Sequence, residues 1–323
     1  MEDDLSRPTL PLRRRLAFAL VGTVLGIALL EVGLRLAWPI ARTATLPEGV
    51  IREHVRSGGL VYDPDLLWTR PPPHESSDRS INAQGFRQRT STPEAKTPGV
   101  KRAIAFGDSQ TMGAGVDDPE TWPAVAGAAL PDWEVLNAGI SGYKSLQVYR
   151  LLRLRMARFS PDAVVVDCWP FDSPRDDGPL VGTPTEGWRA QVGAWWFGSR
   201  LVRLLKLATE RLRPARRGMS EAASRLGRGD AGEGNHALIQ RWADAQGIAA
   251  VFVTYPIYDR RAGRVGCLTA PGELPAGGLV VDACSALQNA KMPAHALFLD
   301  RNHLTVEGNR VVGEAVAKVL AEL

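Results

Sequence analysis

Two short segments far apart in the chain carry residue types that could act as a nucleophile and its base. Ser109 stands in Gly107-Asp108-Ser109, at the end of an apolar run, and Asp300 stands three residues before His303. A carboxylate at that spacing can hold one imidazole nitrogen, which leaves the other nitrogen to accept a proton from a hydroxyl. Ser109, His303 and Asp300 could therefore serve as nucleophile, general base and orienting residue.

The pattern between these segments predicts an α/β fold that would bring them together. We predict strands over 103–109, 133–140, 162–169, 248–258 and 296–300, and helices over 120–130, 145–158, 236–246 and 306–323. The nearly continuous hydrophobicity of the strands indicates a parallel sheet with helices on both faces. Ligands bind beyond the carboxyl ends of such strands, so Ser109 and His303 are expected at one edge. The serine is not in the Gly-x-Ser-x-Gly turn of the α/β-hydrolases, which disfavours that fold.

Composition and charge exclude several classes of protein. The chain has 323 residues, of which 45% are hydrophobic and 23% charged, so wholesale disorder, a collagen-like fibre and a small disulfide scaffold are excluded. The net charge of +4 is unevenly placed, because residues 181–230 carry ten Lys and Arg against four Asp and Glu. A basic character confined to one segment gives little support to nucleic-acid binding, and we predict no nucleic-acid partner.

The N-terminal segment favours a transmembrane anchor over 16–38. Arg13-Arg14-Arg15 precede an uncharged run over 16–30, which reaches spanning length only if the helix continues to Trp38. The positive-inside rule then makes residues 1–15 a cytoplasmic N-terminus and places the remainder outside the inner membrane, on its periplasmic or extracellular side. A cleaved signal peptide and a buried core helix remain alternatives, although no clear cleavage site follows the run directly.

The rest of the chain divides into a strap and a main domain. Residues 39–100 are rich in Pro, Arg and Ser and are interpreted as a linker or as a strap lying on the main domain over 101–323. The main domain carries a predicted helical insertion at about 173–235 that is apolar on one face and basic on the other. This insertion either packs on the core or forms a lid or membrane-surface helix.

The cysteines and histidines do not predict a metal site. Cys267 and Cys284 could form a disulfide bridge, whereas Cys168 in an apolar run is interpreted as a buried thiol. No cysteine pair has metal-type spacing, so we expect neither a zinc site nor any other cofactor. The remaining histidines lack a carboxylate at the spacing of His303 and are interpreted as structural or surface residues: His54, His74, His236 and His295.

Three blocks of the sequence resemble the SGNH/GDSL hydrolase family. Gly107-Asp108-Ser109 resembles the first block, Asn137-Ala138-Gly139 the glycine block and Asp300-x-x-His303 the last block. Residues 107–130, with 62–64 and 81–87 in the strap, resemble a bacterial branch whose members carry an N-terminal membrane helix. The resemblance covers about 101–323. It implies a three-layer, flavodoxin-like sandwich that hydrolyses esters, or transfers acyl groups, through an acyl-serine.

The resemblance also implies roles for individual residues. Ser109 would be the nucleophile, His303 the base and Asp300 its orienting partner, with the backbone N–H groups of Ser109 and Gly139 forming the oxyanion hole. The third block of the family, Gly-x-Asn-Asp, is altered here, because Trp169 and Phe171 take the Gly and Asn positions before Asp172. Loss of one oxyanion donor typically costs ~2.7–4 kcal/mol. We therefore expect a slower enzyme, a substitute donor or no hydrolysis; the candidate donors are Gln110, Asn137 and Tyr255.

These observations favour a membrane-anchored serine esterase that acts on acyl or acetyl esters. Its expected substrates are ester-bearing lipids, glycans or small molecules near the membrane. One alternative is an O-acetyltransferase that uses the same triad on an envelope polysaccharide. The other is a catalytically degenerate envelope scaffold or carbohydrate-binding protein.

Overall fold

The computed structural model describes residues 11–41, 60–63, 66–70, 74–75, 80–168, 201, 235–269 and 274–323. The first element is helix α1 (Leu12–Ala41), of which the stretch Leu12–Leu34 is long and apolar enough to cross a membrane. Its mean hydropathy is 2.2 and none of it is buried. A membrane span and a signal sequence both have these properties.

Two short hairpins follow in the strap. Strand β1 (Val61–Asp63) pairs antiparallel with β2 (Leu67–Thr69), and β3 (His74–Glu75) pairs antiparallel with β4 (Ser80–Ile81). Trp68 of β2 is fully buried, and its indole Nε1 donates a hydrogen bond to the carbonyl of Ser141 at 3.0 Å. This part of the strap therefore lies on the main domain.

A five-stranded parallel sheet forms the centre of the main domain. Its strands are β5 (Lys101–Gly107), β6 (Trp133–Asn137), β7 (Ala163–Asp167), β8 (Ala249–Val253) and, after the hairpin described below, β11 (Leu279–Val281). Their order is β11-β8-β7-β5-β6, and every neighbouring pair is parallel. This order is the flavodoxin-like one, which confirms the predicted fold class.

Helices cover both faces of this sheet. They are α2 (Ser109–Met112), α3 (Trp122–Ala128), α4 (Ser145–Leu151), α5 (Asn235–Gln246), α6 (Ala283–Gln288), α7 (Ala294–Leu297) and α8 (Val306–Leu320). Shorter helical turns span Asp118–Glu120, Leu152–Met156 and Ala157–Phe159. Alternate residues of β5 enter opposite core clusters: Ile104 and Phe106 pack with residues of α4 and α5, and Ala103 and Ala105 with residues of α3 and α8. This arrangement is the predicted sandwich of helix, sheet and helix.

The predicted fifth strand at 296–300 is wrong. Pro293 precedes helix α7, which ends at Leu297, and Phe298 makes only a single antiparallel bridge, to Leu304. Leu297 and Phe298 are apolar because they pack into the core cluster below α8, not because they belong to the sheet. The edge strand is instead β11, which is only three residues long.

The predicted strand at 248–258 is divided in two. It becomes β8 and then β9 (Pro256–Asp259), which pairs antiparallel with β10 (Arg264–Cys267) outside the main sheet. Cys267 at the end of β10 forms a disulfide with Cys284 in α6, so the bridge left open by the sequence is present. Cys168 is buried, as expected, and its Sγ lies 3.6 Å from Nε2 of His236.

Some sequence predictions fall outside the described residues. These include the altered third block at Trp169, Phe171 and Asp172, and His54. Within the predicted insertion at about 173–235, the structure describes only Leu201 and Asn235. The backbone N–H of Leu201 donates a hydrogen bond to Oε2 of Glu31 in α1 at 3.1 Å.

Candidate active site

The turn between β5 and α2 presents Ser109 at the carboxyl edge of the sheet. Asp108 caps α2, because its Oδ1 accepts a hydrogen bond from the backbone N–H of Gln110 at 2.8 Å. Gly107 allows the close approach of neighbouring β7, since a Cβ there would lie 1.8 Å from the carbonyl oxygen of Asp167. These two residues explain why the serine is preceded by Gly-Asp.

The three residues predicted to form a triad are brought together. Nε2 of His303 lies 2.8 Å from Oγ of Ser109, although the two residues are 194 positions apart. Nδ1 of His303 lies 2.6 Å from Oδ2 of Asp300. A hydroxyl, an imidazole and a carboxylate in this chain can transfer a proton from serine to histidine while serine attacks an electrophile.

Asp300 is held as an anion that orients the imidazole. Partial burial acts to raise its pKa, but hydrogen bonds from the backbone N–H and the ring of His303, and from the backbone N–H of Asn302, lower the pKa overall. Both backbone donors lie 2.9 Å from Oδ1. The side chains of His303 and Asp300 are 26% and 46% exposed, so the pair lines an open edge that a substrate can reach.

The glycine block packs directly against helix α2. A Cβ on Gly139 would lie 2.5 Å from the backbone nitrogen of Met112, so only glycine fits there. Asn137 connects the two segments, because its Nδ2 donates to the carbonyl of Thr111 at 2.9 Å and its Oδ1 accepts the N–H of Gly139 at 3.0 Å. The N–H of Gly139 is therefore occupied, whereas within the described residues the N–H of Ser109 donates no hydrogen bond.

The three candidate substitutes for the missing asparagine each have another role. Nδ2 of Asn137 donates to Thr111, as described above. Gln110 Nε2 donates to the carbonyls of Asn302 at 2.5 Å and Pro256 at 3.3 Å. The Tyr255 hydroxyl donates to Oδ2 of Asp108 at 2.9 Å. In this arrangement all three donors stabilise the loops of the site, and none is directed at an oxyanion.

Gln110 and Tyr255 join the serine turn to the histidine loop. Gln110 directly follows Ser109, and its side chain donates to the carbonyl of Asn302, the residue before His303. Tyr255 accepts a hydrogen bond from Nδ2 of Asn302 at 3.4 Å while donating to Asp108. Burial, followed by the charges of Asp108 and Asp167, raises the pKa of Tyr255, so it is a neutral hydroxyl that can donate.

Asp167 is a buried carboxyl near the turn that carries Ser109, and the sequence analysis assigned it no role. It ends β7 and is fully buried. Its Oδ2 lies 3.2 Å from the hydroxyl of Thr111 and 3.2 Å from indole Nε1 of Trp122, while Oδ1 has no hydrogen-bond partner among the described residues. Burial, reinforced by the charge of Asp108, raises its pKa well above the usual value. A carboxyl at the end of an apolar strand was the available signal.

Among the described residues, no group of three or more His, Cys, Asp and Glu side chains could hold a metal ion. His236 contacts Cys168 and stacks edge-on with Phe252, and His295 lies in α7.

No family model matches this chain, and no curated protein matches it significantly. Among solved structures, a member of the lipolytic G-D-S-L protein family from Veillonella parvula is 14% identical, with 69% of this chain and 100% of that chain covered and a TM-score of 0.37. The lipase/acylhydrolase from Enterococcus faecalis is 12% identical, with 69% and 96% covered and a TM-score of 0.39.

A two-domain esterase active on acetylated mannans is 11% identical, with 69% of this chain and 49% of that chain covered and a TM-score of 0.40. The fold of this chain is assigned from its own strand order and connections, which agree with the resemblance to the SGNH/GDSL hydrolases.

Asp167→Asn is expected to make stability less dependent on pH. A group whose pKa is raised in the folded state takes up a proton on folding, so wild-type stability falls as pH rises above the usual carboxyl pKa. The asparagine amide has the shape of the neutral acid and does not titrate. Relative to wild type, the variant should gain stability from pH 5 to pH 8, by at most about 1.4 kcal/mol per pH unit.

Urea unfolding at both pH values measures this difference. Asp259→Asn, at the last residue of β9, removes the same charge from a half-buried site and serves as the control. Parallel pH dependence of wild type and Asp167→Asn would show that Asp167 is charged in the folded protein.

Proposed function

We propose that the chain is a membrane-anchored serine hydrolase of the SGNH/GDSL type that cleaves acyl or acetyl esters. The observation that carries this proposal is the hydrogen-bonded chain from Ser109 Oγ through His303 to Asp300, at 2.8 and 2.6 Å. It stands at the carboxyl edge of the sheet, where ligands of such folds bind.

The geometry supports a two-step reaction through an acyl-serine. Oγ of Ser109 attacks the ester carbonyl carbon while its proton passes to Nε2 of His303, and Asp300 stabilises the resulting imidazolium. The tetrahedral intermediate then expels the alcohol, which takes the proton from Nε2. Water, deprotonated by His303, attacks the acyl-serine in turn, releasing the carboxylic acid and restoring the serine hydroxyl.

The oxyanion would be held by the backbone N–H groups of Ser109 and Gly139. The N–H of Ser109 is available to an oxyanion, whereas the N–H of Gly139 must be shared with Oδ1 of Asn137 or released from it. Phe171 cannot replace an asparagine donor, because its side chain has no N–H. We therefore expect a rate below that of a three-donor site, by a factor of about 10²–10³.

The N-terminal helix supports a location at the membrane. Its apolar stretch is unburied, and the arginines at 13–15 favour a cytoplasmic N-terminus with the domain over 101–323 in the periplasm or outside the cell. The disulfide between Cys267 and Cys284 also fits an oxidising compartment. An enzyme tethered in this way would act on esters close to the membrane, in lipids, envelope glycans or small acylated molecules.

A fluorophosphonate probe tests whether Ser109 is an activated nucleophile. Wild type should label at neutral pH, and labelling should be lost in Ser109→Ala and in His303→Ala. Ser141→Ala and His295→Ala, which change a serine and a histidine outside the triad, should label as wild type does. Absence of labelling in wild type would favour a non-enzymatic scaffold.

Asp300→Asn should reduce turnover much more than stability. The amide no longer stabilises the imidazolium, and we expect a loss of about 10²–10⁴ in kcat on a p-nitrophenyl ester. Because the Asp300 side chain is 46% exposed, the melting temperature should change little. Glu307→Gln, which removes another partly exposed carboxylate, is the control. Equal rates for wild type and Asp300→Asn would reject the role of Asp300.

Deletion of residues 1–40 should move the protein from the membrane to the soluble fraction. In the full chain, the domain should be degraded by protease added to spheroplasts, as its proposed location outside the inner membrane requires. A truncated protein that stays with the membrane would instead assign anchoring to the basic segment within 173–235.

A further inference from the structure

Arg87 of the strap places its buried guanidinium inside the loop that follows helix α2. Nη1 of Arg87 donates to the carbonyls of Met112 at 2.5 Å and Gly113 at 2.6 Å, and Nη2 donates to the carbonyl of Val116 at 2.6 Å. Nε donates to Oδ1 of Asp118 at 2.7 Å, and the side chain is only 1% exposed. Four acceptors of one loop therefore surround a single side chain.

This loop needs such a partner because of how it turns. Gly113 and Gly115 both have left-handed backbone conformations, with φ of 82° and 88°. The chain curls around the end of α2, and carbonyls that a longer helix would bond internally converge on one point. Arginine suits such a group of carbonyl acceptors because its guanidinium carries several N–H donors in a fixed planar arrangement.

The backbone of Arg87 reaches the second block as well. Its N–H donates to the carbonyl of Asn137 at 2.8 Å, and Asn137 donates in turn to the carbonyl of Thr111. The strap, the glycine block and helix α2 are thus joined in one continuous hydrogen-bond network. Ser80 adds to this network through its N–H, which donates to the carboxylate of Asp118 at 3.0 Å.

We propose that Arg87 is a positioning residue for catalysis: it fixes the loop over 113–117 and so holds Ser109 in register with His303. The catalytic part of this inference rests on the proposed function. The strap is then an integral part of the active site and not a spacer between the membrane helix and the domain. A loop displacement of about 1 Å can reduce an enzymatic rate by about 100-fold.

Arg87→Lys tests this inference, with Arg102→Lys as a matched control. Lysine keeps the charge but cannot supply the planar fork of donors. Arg102 is equally buried, at 2% exposed, and also bonds one carboxylate, that of Glu134, and two carbonyls, those of Glu94 and Phe159. It lies near the start of β5, about 17 Å from the carboxyl edge at ~3.3 Å per residue.

Two measurements on the full chain distinguish positioning from general stability. Both variants should melt below wild type, and they are compared at a temperature at which both are folded. The limiting rate of fluorophosphonate labelling at saturating probe should fall about 10- to 100-fold in Arg87→Lys and stay within about twofold of wild type in Arg102→Lys. Hydrogen exchange of the amides of Gly113 and Ala114, which bond the carbonyl of Ser109, should accelerate in Arg87→Lys only.

Each result bears on a different claim. If the labelling rate and the amide exchange of Arg87→Lys match those of Arg102→Lys, the positioning role of Arg87 is overturned. Faster exchange at Gly113 and Ala114 without slower labelling would overturn its catalytic part. If wild type does not label at all, the proposed function fails, and the exchange comparison decides whether Arg87 fixes the serine loop.

Discussion

The hydrogen bond between Ser109 and His303 is the interaction on which the proposed chemistry depends. The two residues are 194 positions apart, so the bond exists only because the sheet brings both loops to one edge. The parallel register makes this possible: β5 ends at Gly107 beside the end of β7, and the chain returns to the same edge before α8. The loop entropy lost in joining such distant segments is offset by the burial of the sheet between two helical layers.

The relative positions of the loops at that edge are fixed by polar side chains that form hydrogen bonds between neighbouring loops. Gln110 and Tyr255 connect the serine turn with the histidine loop, and Asn137 and Arg87 connect it with the glycine block and the strap. Each of these four residues is buried. Buried polar groups that are fully bonded restrict a loop to one arrangement, because any other arrangement leaves donors or acceptors unsatisfied. The same residues are therefore unsuited to supply the missing oxyanion donor.

Much of this arrangement could be predicted from the sequence, because the signals are local. The first four strands are apolar runs bounded by polar turns, and Gly107-Asp108-Ser109 and Asp300-x-x-His303 are short motifs whose chemistry is evident from residue types. The edge strand was missed because β11 has only three residues, whereas Leu297 and Phe298 are apolar for a different reason, burial under α8. Periodicity cannot distinguish these two kinds of burial.

The contacts of the strap and of Asp167 could not be predicted for a related reason. The contacts of Arg87 in the strap depend on which carbonyls converge after folding, and every residue has a carbonyl whatever its type. An arginine at position 87 in a polar segment is indistinguishable from a solvated one until the loop over 113–117 is seen around it. Likewise, the raised pKa of Asp167 is recognisable only once the burial of its side chain and the nearby charge of Asp108 are seen.

The most direct test of the central claim is to trap the acyl-enzyme. Wild type is mixed with p-nitrophenyl acetate, quenched with acid within the first turnover, and mapped by peptide mass spectrometry. The account predicts an acetyl group on the peptide that contains Ser109, absent from His303→Ala and lost from wild type on longer incubation as water completes the cycle. Acetylation at other residues only, or an adduct at Ser109 that forms equally in His303→Ala, would contradict it.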